Sequence, residues 1–504
     1  MTKTAVRMTA SLAVLLLSGC AHRAPTAPPV PPTSALRAAA ARPLDQLQKD
    51  IDDILGASAF ERTYWGIAVK SLRSDETLYA RNARKLMMPA SNMKIVTLAA
   101  AAATLGWNYT YETAIRAAGP IDNGLLAGDL IVSGSGDPSL AIADGMADRV
   151  FAEWASKLKA AGIRVVSGRI VGDDGAFEDE EIGFGWSWDD LQDDYAAGVG
   201  ALQFNENMAR VTIVPGLAAG APASFAIEPS NTGLIVDNDV TTAAEGTATS
   251  IRTRRLPGSS RLAIRGSIAL RAQPSIEAVS VDNPTIFFVK SLRNALIANG
   301  VDVRGEAADI GDIPGRPRSS AAPIVVHRSP PLSELAIRLM KTSQNQYAET
   351  LLKTIGRAAG TASAAAGRAS VVAMLQSWGV AAADLIQRDG SGLSRYDYVT
   401  ADALTTILEH VDRDSNLRGP FQASLPIAGR DGTLSNRMKG TAAEGNARAK
   451  TGSMSNVRGL SGYVTTADGE PLVFSILANN FEMAPAAITA AADAIVGKLA
   501  TFKR

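Results

Sequence analysis

Two side chains near the start of an Ala-rich segment could together perform acyl transfer. Ser91 and Lys94 stand three residues apart at the beginning of the run NMKIVTLAAAAATLG, which ends at a glycine as helices often do. Residues at this spacing project from the same face of a helix, so the lysine amine can reach the serine hydroxyl. A neutral lysine could then take the serine proton and turn the hydroxyl into a nucleophile. An ordinary charge on a helix surface is the alternative interpretation of Lys94.

The spacing alone does not identify a nucleophile, because the chain contains it twice. Ser156 and Lys159 have the same separation, in a helical segment rich in charged residues that is typical of a solvated surface. The motifs that follow along the chain distinguish Ser91 from this second pair. Ser343-Gln-Asn345 lies in a turn between two helical segments, and Lys450-Thr-Gly-Ser453 lies on a predicted edge strand.

The two later motifs also have purely structural interpretations. Ser343 could be a helix N-cap with Asn345 as a turn residue, and the segment that begins at Lys450 could be a plain strand end. Together, however, SxxK, a serine–asparagine motif and KTG in this order form the signature of penicillin-binding proteins and β-lactamases. Their joint occurrence at a helix start, an interhelical turn and a late strand favours one shared active site.

Opposite roles are expected for the two lysines. The amine of a free lysine has a pKa of about 10.4, so Lys94 can act as a base only if burial and a second cation lower that pKa. Lys450 is that second cation. It is expected to stay charged and to hold the terminal carboxylate of a substrate, together with the hydroxyls of Thr451 and Ser453.

The remaining residues of the three motifs each have a predicted role. Gly452 would let a substrate backbone lie against the strand without a side chain in the way. The backbone N–H groups of Ser91 and Ser453 would form an oxyanion hole. Ser343 would pass a proton to the leaving amine, and Asn345 would bind either the base lysine or a substrate amide.

The composition excludes several other classes of function. The 504 residues include 50 basic and 50 acidic residues, with a formal net charge of +0, so no nucleic-acid partner is expected. One cysteine and three scattered histidines cannot build a disulfide framework or a His/Cys metal cluster, and no metal or other cofactor is predicted. The same scarcity, without a G-x-S-x-G motif, argues against a Ser-His-Asp triad.

The first 42 residues are predicted to be an export signal and a tether. In residues 1–20, two basic residues precede the apolar run LAVLLL, which is too short to span a bilayer. The run ends Leu17-Ser-Gly-Cys20, which resembles the lipobox of bacterial lipoproteins and implies a lipid on Cys20. A plain cleaved signal peptide is the alternative. Residues 21–42 are Pro-rich and predict an extended tether.

The rest of the chain is predicted to form one α+β domain that is split by an insertion. Residues 43–112 contain a helix, a hairpin and the helix after Ser91, whereas residues 113–325 consist mostly of short Val/Ile-rich runs with two helical segments. Residues 326–504 again contain segments with helical periodicity, and they end in a strand, a hairpin and a helix. The strands of the two outer segments would pair in one sheet.

Further motifs extend over nearly the whole chain after the tether. They are GDLIVSGSGDPSL (128–140), GWSWDDLQDDYAA with ALQFNENM (185–208), DGSGLSRYD (389–397) and LPIAGRDGTLSNRM (425–438). With these motifs the chain resembles the D-alanyl-D-alanine carboxypeptidase/endopeptidase family of class C (type 4) low-molecular-mass penicillin-binding proteins, which insert domains between the first two catalytic motifs. The chain departs from that family at Gln344, where aspartate is common, and in its lipoprotein-like start.

The resemblance implies a penicillin-binding/serine β-lactamase-like transpeptidase domain, an antiparallel sheet with helices on both faces, split by the β-rich insertion. It implies that Ser91 attacks a D-Ala peptide carbonyl of peptidoglycan, that water releases the acyl-enzyme, and that β-lactams acylate the same serine. The protein would face the periplasm, lipid-anchored with the outer membrane favoured, or be soluble there. A serine β-lactamase or esterase on the same core and a catalytically idle cell-wall-binding lipoprotein are the alternative functions.

Overall fold

The computed structural model describes residues 43–178, 180–316 and 319–504. The predicted signal peptide, Cys20 and the tether of residues 21–42 lie outside these ranges. Within them, none of the helices is both long enough and apolar enough to cross a bilayer.

Helices dominate the two ends of the described chain and strands dominate its middle. In chain order the helices are α1 (Pro43–Leu55), α2 (Met93–Leu105), α3 (Met146–Ala160), α4 (Pro284–Ala298), α5 (Leu332–Lys341), α6 (Asn345–Ala358), α7 (Ala364–Ser377), α8 (Ala401–Arg413), α9 (Ser415–Ser424) and α10 (Pro485–Thr501). The strands are β1 (Tyr64–Ser71), β2 (Thr77–Arg81), β3 (Glu112–Ala118), β4 (Ile121–Asp122), β5 (Leu125–Leu126), β6 (Asp129–Gly134), β7 (Val165–Val166), β8 (Ile170–Asp173), β9 (Met208–Val214), β10 (Ser224–Glu228), β11 (Ile235–Ala243), β12 (Ser250–Arg255), β13 (Arg261–Ala269), β14 (Ser275–Ser280), β15 (Asp302–Val303), β16 (Ala307–Asp309), β17 (Val325–Arg328), β18 (Leu385–Ile386), β19 (Tyr398–Val399), β20 (Arg448–Met454), β21 (Val457–Thr465) and β22 (Pro471–Asn479).

Strands from the beginning and the end of the chain share one sheet. Its order is β2-β1-β22-β21-β20, and every neighbouring pair is antiparallel. Tyr64 of β1 pairs with Asn479 of β22, which joins the two outer segments as the sequence predicts. Strand β20, which carries the KTG motif, lies at the edge of this sheet, where a ligand can approach its backbone.

Helices cover both faces of the sheet because its strands are apolar on both sides. Helices α1 and α10 pack on one face, where Ile51 and Ile495 are fully buried. Helix α2 lies on the other face, within a cluster that includes residues of α5, α6, α7, α8 and α9. Every residue of α2 from Met93 to Ala102 is buried, and its alanines let the neighbouring helices approach closely. The predicted α+β class is confirmed.

The middle of the chain builds further sheets with a mixed topology. One has the order β16-β8-β6-β3-β17, a second β10-β9-β14 and a third β11-β13-β12. The pairs β6–β8 and β8–β16 are parallel, because α3 and α4 serve as crossover helices between them. Strands β3 and β17, where the chain enters and leaves this region, pair with each other. The boundaries at residues 113 and 325 stay a prediction.

Candidate active site

Ser91 lies in a tight turn that leads directly into helix α2. Pro89 precedes a 3₁₀ turn formed by Ala90, Ser91 and Asn92, and α2 continues from Met93. Ala90 has φ +46°, a left-handed conformation that is costly for a residue with a Cβ atom. The turn brings Ser91 to the wall of a cleft, beside N–H groups that a helix start leaves without intrahelical partners.

Lys94 is fully buried and contacts three oxygen atoms. Its Nζ donates to Ser91 Oγ at 2.8 Å, to Asn345 Oδ1 at 2.6 Å and to the backbone oxygen of Ser391 at 2.9 Å. The last two oxygens can only accept hydrogen bonds, whereas a hydroxyl can also donate one. A neutral amine has two N–H donors and one lone pair. With its donors on Asn345 and Ser391, the lone pair of neutral Lys94 is left for the Ser91 hydroxyl.

The surroundings of Lys94 favour this neutral form. Burial lowers the pKa of Lys94 to about 7, although the carboxylates of Asp389, Glu349 and Asp397 act in the opposite direction. Helix α2, which carries the lysine, is enclosed between the sheet and its neighbouring helices. The folded structure thus removes water from Lys94 and lowers its pKa, as the role of a base requires.

Sequence reasoning missed the buried carboxylates that hold the segment opposite Lys94. Glu349 on α6 accepts hydrogen bonds from the N–H groups of Gly390 and Ser391, both at 2.8 Å. Asp389 accepts from two further N–H groups of the same segment, each at 2.6 Å. These bonds fix the Ser391 carbonyl that receives the lysine amine.

Lys450 lies buried behind the serine of the second motif. Its Nζ donates to Ser343 Oγ and to the backbone oxygen of Thr451, both at 2.8 Å and both uncharged. Burial lowers the pKa of Lys450 well below its ordinary value, and the Lys94 amine lowers it further. Lys450 is therefore expected to be charged when an anion is bound, because a ligand carboxylate would stabilise its ammonium form.

Strand β20 presents hydroxyl and N–H groups to the cleft. Thr451 and Ser453 line it, and Thr451 Oγ1 donates to Oγ1 of Thr433, a cleft residue that the sequence did not single out. The N–H of Ala449 bonds to the oxygen of Pro426, on the side of β20 away from β21. Since N–H directions alternate along a strand, the N–H of Ser453 points to that same open side.

Gly452 has a different structural reason from the predicted one. A Cβ atom at this position would lie 2.5 Å from the backbone oxygen of Pro89 and 3.3 Å from the nitrogen of Ser91. The missing side chain would therefore point at the turn that carries the serine. Glycine lets β20 approach this turn, and its role in clearing space for a substrate backbone stays a prediction.

Gln344, the residue at which the second motif departs from the family pattern, contacts Glu206 in the middle region of the chain. Its Nε2 donates to Glu206 Oε2 at 2.6 Å, while Glu206 Oε1 accepts from Arg338 Nε at 2.8 Å. Gln344 Oε1 also accepts from the N–H of Gln346 and caps helix α6. An aspartate at this position could not donate and would face the Glu206 carboxylate.

Asn345 binds the lysine, which was one of its two predicted roles. Its Oδ1 accepts from Lys94, and its Nδ2 donates to the backbone oxygen of Tyr195 at 2.7 Å. Tyr195 belongs to the segment between strands of the middle region, so this region supplies one wall of the cleft.

The predicted residues converge on one cleft of about 720 Å³. Ser91, Ser343, Asn345, Thr451 and Ser453 line it, and the two lysines lie buried behind them. This geometry joins all three motifs, from a helix start, an interhelical turn and an edge strand.

The second serine–lysine pair has no such surroundings. Ser156 is exposed on α3, and its hydroxyl donates to the backbone oxygen of Ala152 at 3.1 Å. Lys159 Nζ donates to the backbone oxygen of Asn299 at 2.9 Å. The pair therefore satisfies its hydrogen bonds locally, away from the cleft.

A nucleophilic serine paired with a buried lysine, at the edge of an antiparallel sheet flanked by helices, defines an active-site-serine hydrolase of the penicillin-binding and β-lactamase class. The chain belongs to the D-Ala-D-Ala carboxypeptidase 3 (S13) family, whose model matches residues 47–502. The predicted family and the prediction of a serine hydrolase of the carboxypeptidase type are confirmed.

Relatives of known type match most of the chain. A D-alanyl-D-alanine carboxypeptidase of Actinomadura sp. (strain R39) is 36% identical over 480 residues, which cover 93% of this chain and 87% of the relative. D-alanyl-D-alanine carboxypeptidase DacB of Haemophilus influenzae is 28% identical and covers 82% of this chain and 85% of its own length.

Solved structures show the same fold. Penicillin binding protein 4 of Haemophilus influenzae has a TM-score of 0.80 at 26% identity, with 90% of this chain and 99% of that chain covered. A second structure of that protein, in complex with a β-lactam, has a TM-score of 0.73 at 25% identity and covers 90% of this chain and 100% of that one.

Proposed function

We propose that this protein is a serine DD-peptidase that hydrolyses D-Ala peptide bonds of peptidoglycan, at stem-peptide ends or in cross-links, through an acyl-enzyme on Ser91. The hydrogen bonding of Lys94 carries this proposal. Two of its three partner oxygens can only accept hydrogen bonds, so the neutral amine donates its two N–H groups to them. Its lone pair then faces the Ser91 hydroxyl and can accept the proton of that hydroxyl. Membership of the D-Ala-D-Ala carboxypeptidase 3 (S13) family supports the substrate class.

In the acylation step, Ser91 Oγ attacks the carbonyl carbon of the D-Ala bond and its proton passes to Lys94 Nζ. The N–H groups of Ser91 and Ser453 stabilise the developing oxyanion. Ser343 donates its proton to the leaving amine and takes one from Lys450, whose Nζ lies 2.8 Å from Ser343 Oγ. The proton that Lys94 took from Ser91 replaces the one that Lys450 gave, so Lys94 is neutral again after acylation. The peptide C–N bond breaks and an ester bond to Ser91 forms.

Water then completes the hydrolysis. It attacks the ester carbonyl while neutral Lys94 accepts one of its protons, the bond to Ser91 Oγ breaks, and Lys94 passes that proton to the released Ser91 oxygen. The terminal carboxylate of the substrate contacts the hydroxyls of Thr451 and Ser453 and raises the pKa of Lys450 behind them. β-Lactams acylate the same serine, because their strained amide presents the same carbonyl and carboxylate.

Peptide mapping of a labelled adduct tests this proposal directly. After incubation with a labelled penicillin, intact-mass measurement is expected to show one added equivalent, located on the tryptic peptide that contains Ser91. A label on the peptide that contains Ser156, or no adduct under conditions that preserve acyl-enzymes, would contradict it. Rapid release of the label would indicate the β-lactamase alternative instead.

Acylation is expected to depend on pH through Lys94. Its pKa of about 7 leaves the amine protonated in acid, where it cannot accept the serine proton. The second-order rate constant for penicillin acylation should therefore rise about tenfold per pH unit below pH 7 and level off above about pH 8. Stopped-flow or quench measurements between about pH 5 and pH 9 give this profile. A flat profile over this range would exclude Lys94 as the base.

We also propose that the protein faces the periplasm with a lipid anchor on Cys20, and that the outer membrane is its site. The sequence Leu17-Ser-Gly-Cys20 and the Pro-rich segment that follows support this location. In a host with two membranes, Cys20→Ser should move the protein from the membrane to the soluble periplasmic fraction and remove the acyl mass. Ser18→Ala should leave both unchanged. Soluble wild-type protein without a lipid mass would refute the anchor.

A further inference from the structure

Three half-exposed aromatic rings border the catalytic cleft. Phe184 is 57% exposed and Trp188 is 54% exposed, whereas Trp186 between them is buried at 8%. The turns of this segment thus direct the outer two rings to solvent and the ring between them inward. Tyr396, on a different segment, is 55% exposed. Phe184, Trp188 and Tyr396 are here called the ring platform. Phe184 and Tyr396 contact each other, Trp188 lies four residues after Phe184, and exposed rings of this kind on segments that line a cleft suggest a binding surface.

Neighbouring groups hold these rings in place. The Arg254 guanidinium lies 5.2 Å from the centre of the Trp188 ring, and the Arg388 guanidinium lies 5.8 Å from that of Phe184. The rings of Phe184 and Tyr396 are 5.7 Å apart with an angle of 50° between their planes. Each arginine covers part of a ring and leaves the rest exposed, so the platform is already ordered for a ligand.

The two segments that carry the rings are fastened to each other. Trp186 Nε1 donates to Asp389 Oδ2 at 2.9 Å, in the segment whose Ser391 carbonyl accepts from the catalytic lysine. Gly185 has φ +78°, and a Cβ atom there would lie 2.4 Å from the Tyr396 ring. Only a glycine lets the ring pack so closely on this backbone.

The same two segments continue into the cleft. Asp190 and Tyr195 follow Trp188 and line the cleft, and Leu393 and Arg395 precede Tyr396 and also line it. Asp190 is the second residue after Trp188, a distance of at most about 7 Å along the chain. A polymer whose peptide branch occupies the cleft would therefore pass over the ring platform.

We propose that the ring platform binds sugar rings of the glycan strand that carries the stem peptide being cut. This inference rests on the proposed DD-peptidase function. The C–H face of a pyranose packs on an aromatic ring, and its hydroxyl and acetamide oxygens accept hydrogen bonds from the flanking arginines. The 184–195 segment also carries four carboxylates, which offset the arginines and favour a neutral sugar over a polyanion. They belong to Asp189, Asp190, Asp193 and Asp194.

The test compares a polymer without peptide and a peptide without polymer. Full-length Ser91→Ala protein is assayed for binding to chitin oligosaccharides, which are uncharged chains of N-acetylglucosamine that have pyranose rings and acetamide groups but no peptide. Adding Trp188→Ala or Phe184→Ala should each weaken this binding about tenfold. Phe225→Ala, which removes a 40% exposed ring of β10 outside the cleft lining, is the matched control and should not change it.

The same substitutions with Ser91 intact provide the kinetic readout. Hydrolysis of a soluble D-Ala-D-Ala peptide should stay within about twofold, and hydrolysis of intact sacculi should fall about tenfold in kcat/KM. Unchanged glycan binding would overturn the proposal, as would an equal loss on both substrates. Weaker binding to peptide-bearing sacculi alone would assign the platform to peptide instead. Penicillin labelling of Ser91→Ala protein would refute the DD-peptidase function separately, without bearing on glycan binding.

Discussion

Ser91→Ala protein is expected to lose covalent labelling by penicillin and to hydrolyse a D-Ala-D-Ala peptide about 10⁴-fold more slowly or worse. The hydroxyl is the atom that forms the ester, and the buried lysine beneath it has no other oxygen in the cleft to activate. Intact mass after incubation with labelled penicillin and kcat/KM on the peptide measure the two losses. The change removes one oxygen from the cleft wall, so the fold should persist.

Ser156→Ala is the matched control for this loss. Its serine also precedes a lysine by three residues, but it is exposed on α3 and bonds to its own helix. Labelling and hydrolysis by this variant should equal those of the parent. Labelling that survives Ser91→Ala, or that disappears in Ser156→Ala, would mean that the acylated residue has been assigned wrongly.

Lys94→Met should lower acylation by penicillin about 10³-fold while leaving Ser91 in place. Methionine has a similar length and is apolar, but it has no lone pair of comparable basicity to take the serine proton. The diagnostic measurement is the pH profile of the residual rate. Because Lys94 has a pKa of about 7 in the folded protein, the rising part of the profile near that pH should vanish with it.

A structural role for Lys94 would give a different pattern. The substitution leaves Asn345 Oδ1 and the Ser391 carbonyl without their donor, at a cost of about 1–3 kcal/mol for each buried acceptor. That loss should lower the melting temperature, and it should leave the pH dependence of the acylation rate unchanged. Lys159→Met, in the second serine–lysine pair, is the control. A Lys94→Met protein that keeps the rising part near pH 7 would show that another group is the base.

The middle region of the chain takes part in the site and does not only separate its motifs. Glu206 holds Gln344, and the backbone oxygen of Tyr195 holds the amide of Asn345. Both contacts fix the second motif from residues that lie between the first two motifs in the sequence. Replacement of Glu206 is therefore expected to affect catalysis through the position of this motif.

The sequence by itself determined the elements and the identity of the main reacting groups. Helical periodicity placed Ser91 at the start of α2 and Ser343 between α5 and α6, and alternation with turn residues placed Lys450 on a late strand. These features depend on neighbours within a few turns of the chain, so local patterns suffice. The order of the three motifs indicated the broad class, and the further motifs between residues 128 and 438 then indicated the family.

The protonation states of these groups and the contacts that fix them depend on the folded structure. The pKa of Lys94 depends on its desolvation among helices that are distant in sequence, and the carbonyl that binds it belongs to Ser391. The contacts of Gln344 with Glu206 and of Gly452 with the Ser91 turn also join distant segments. Such contacts leave no periodic signal, because each needs just one residue pair. Burial and long-range pairing arise when the whole chain folds, and local spacing does not encode them.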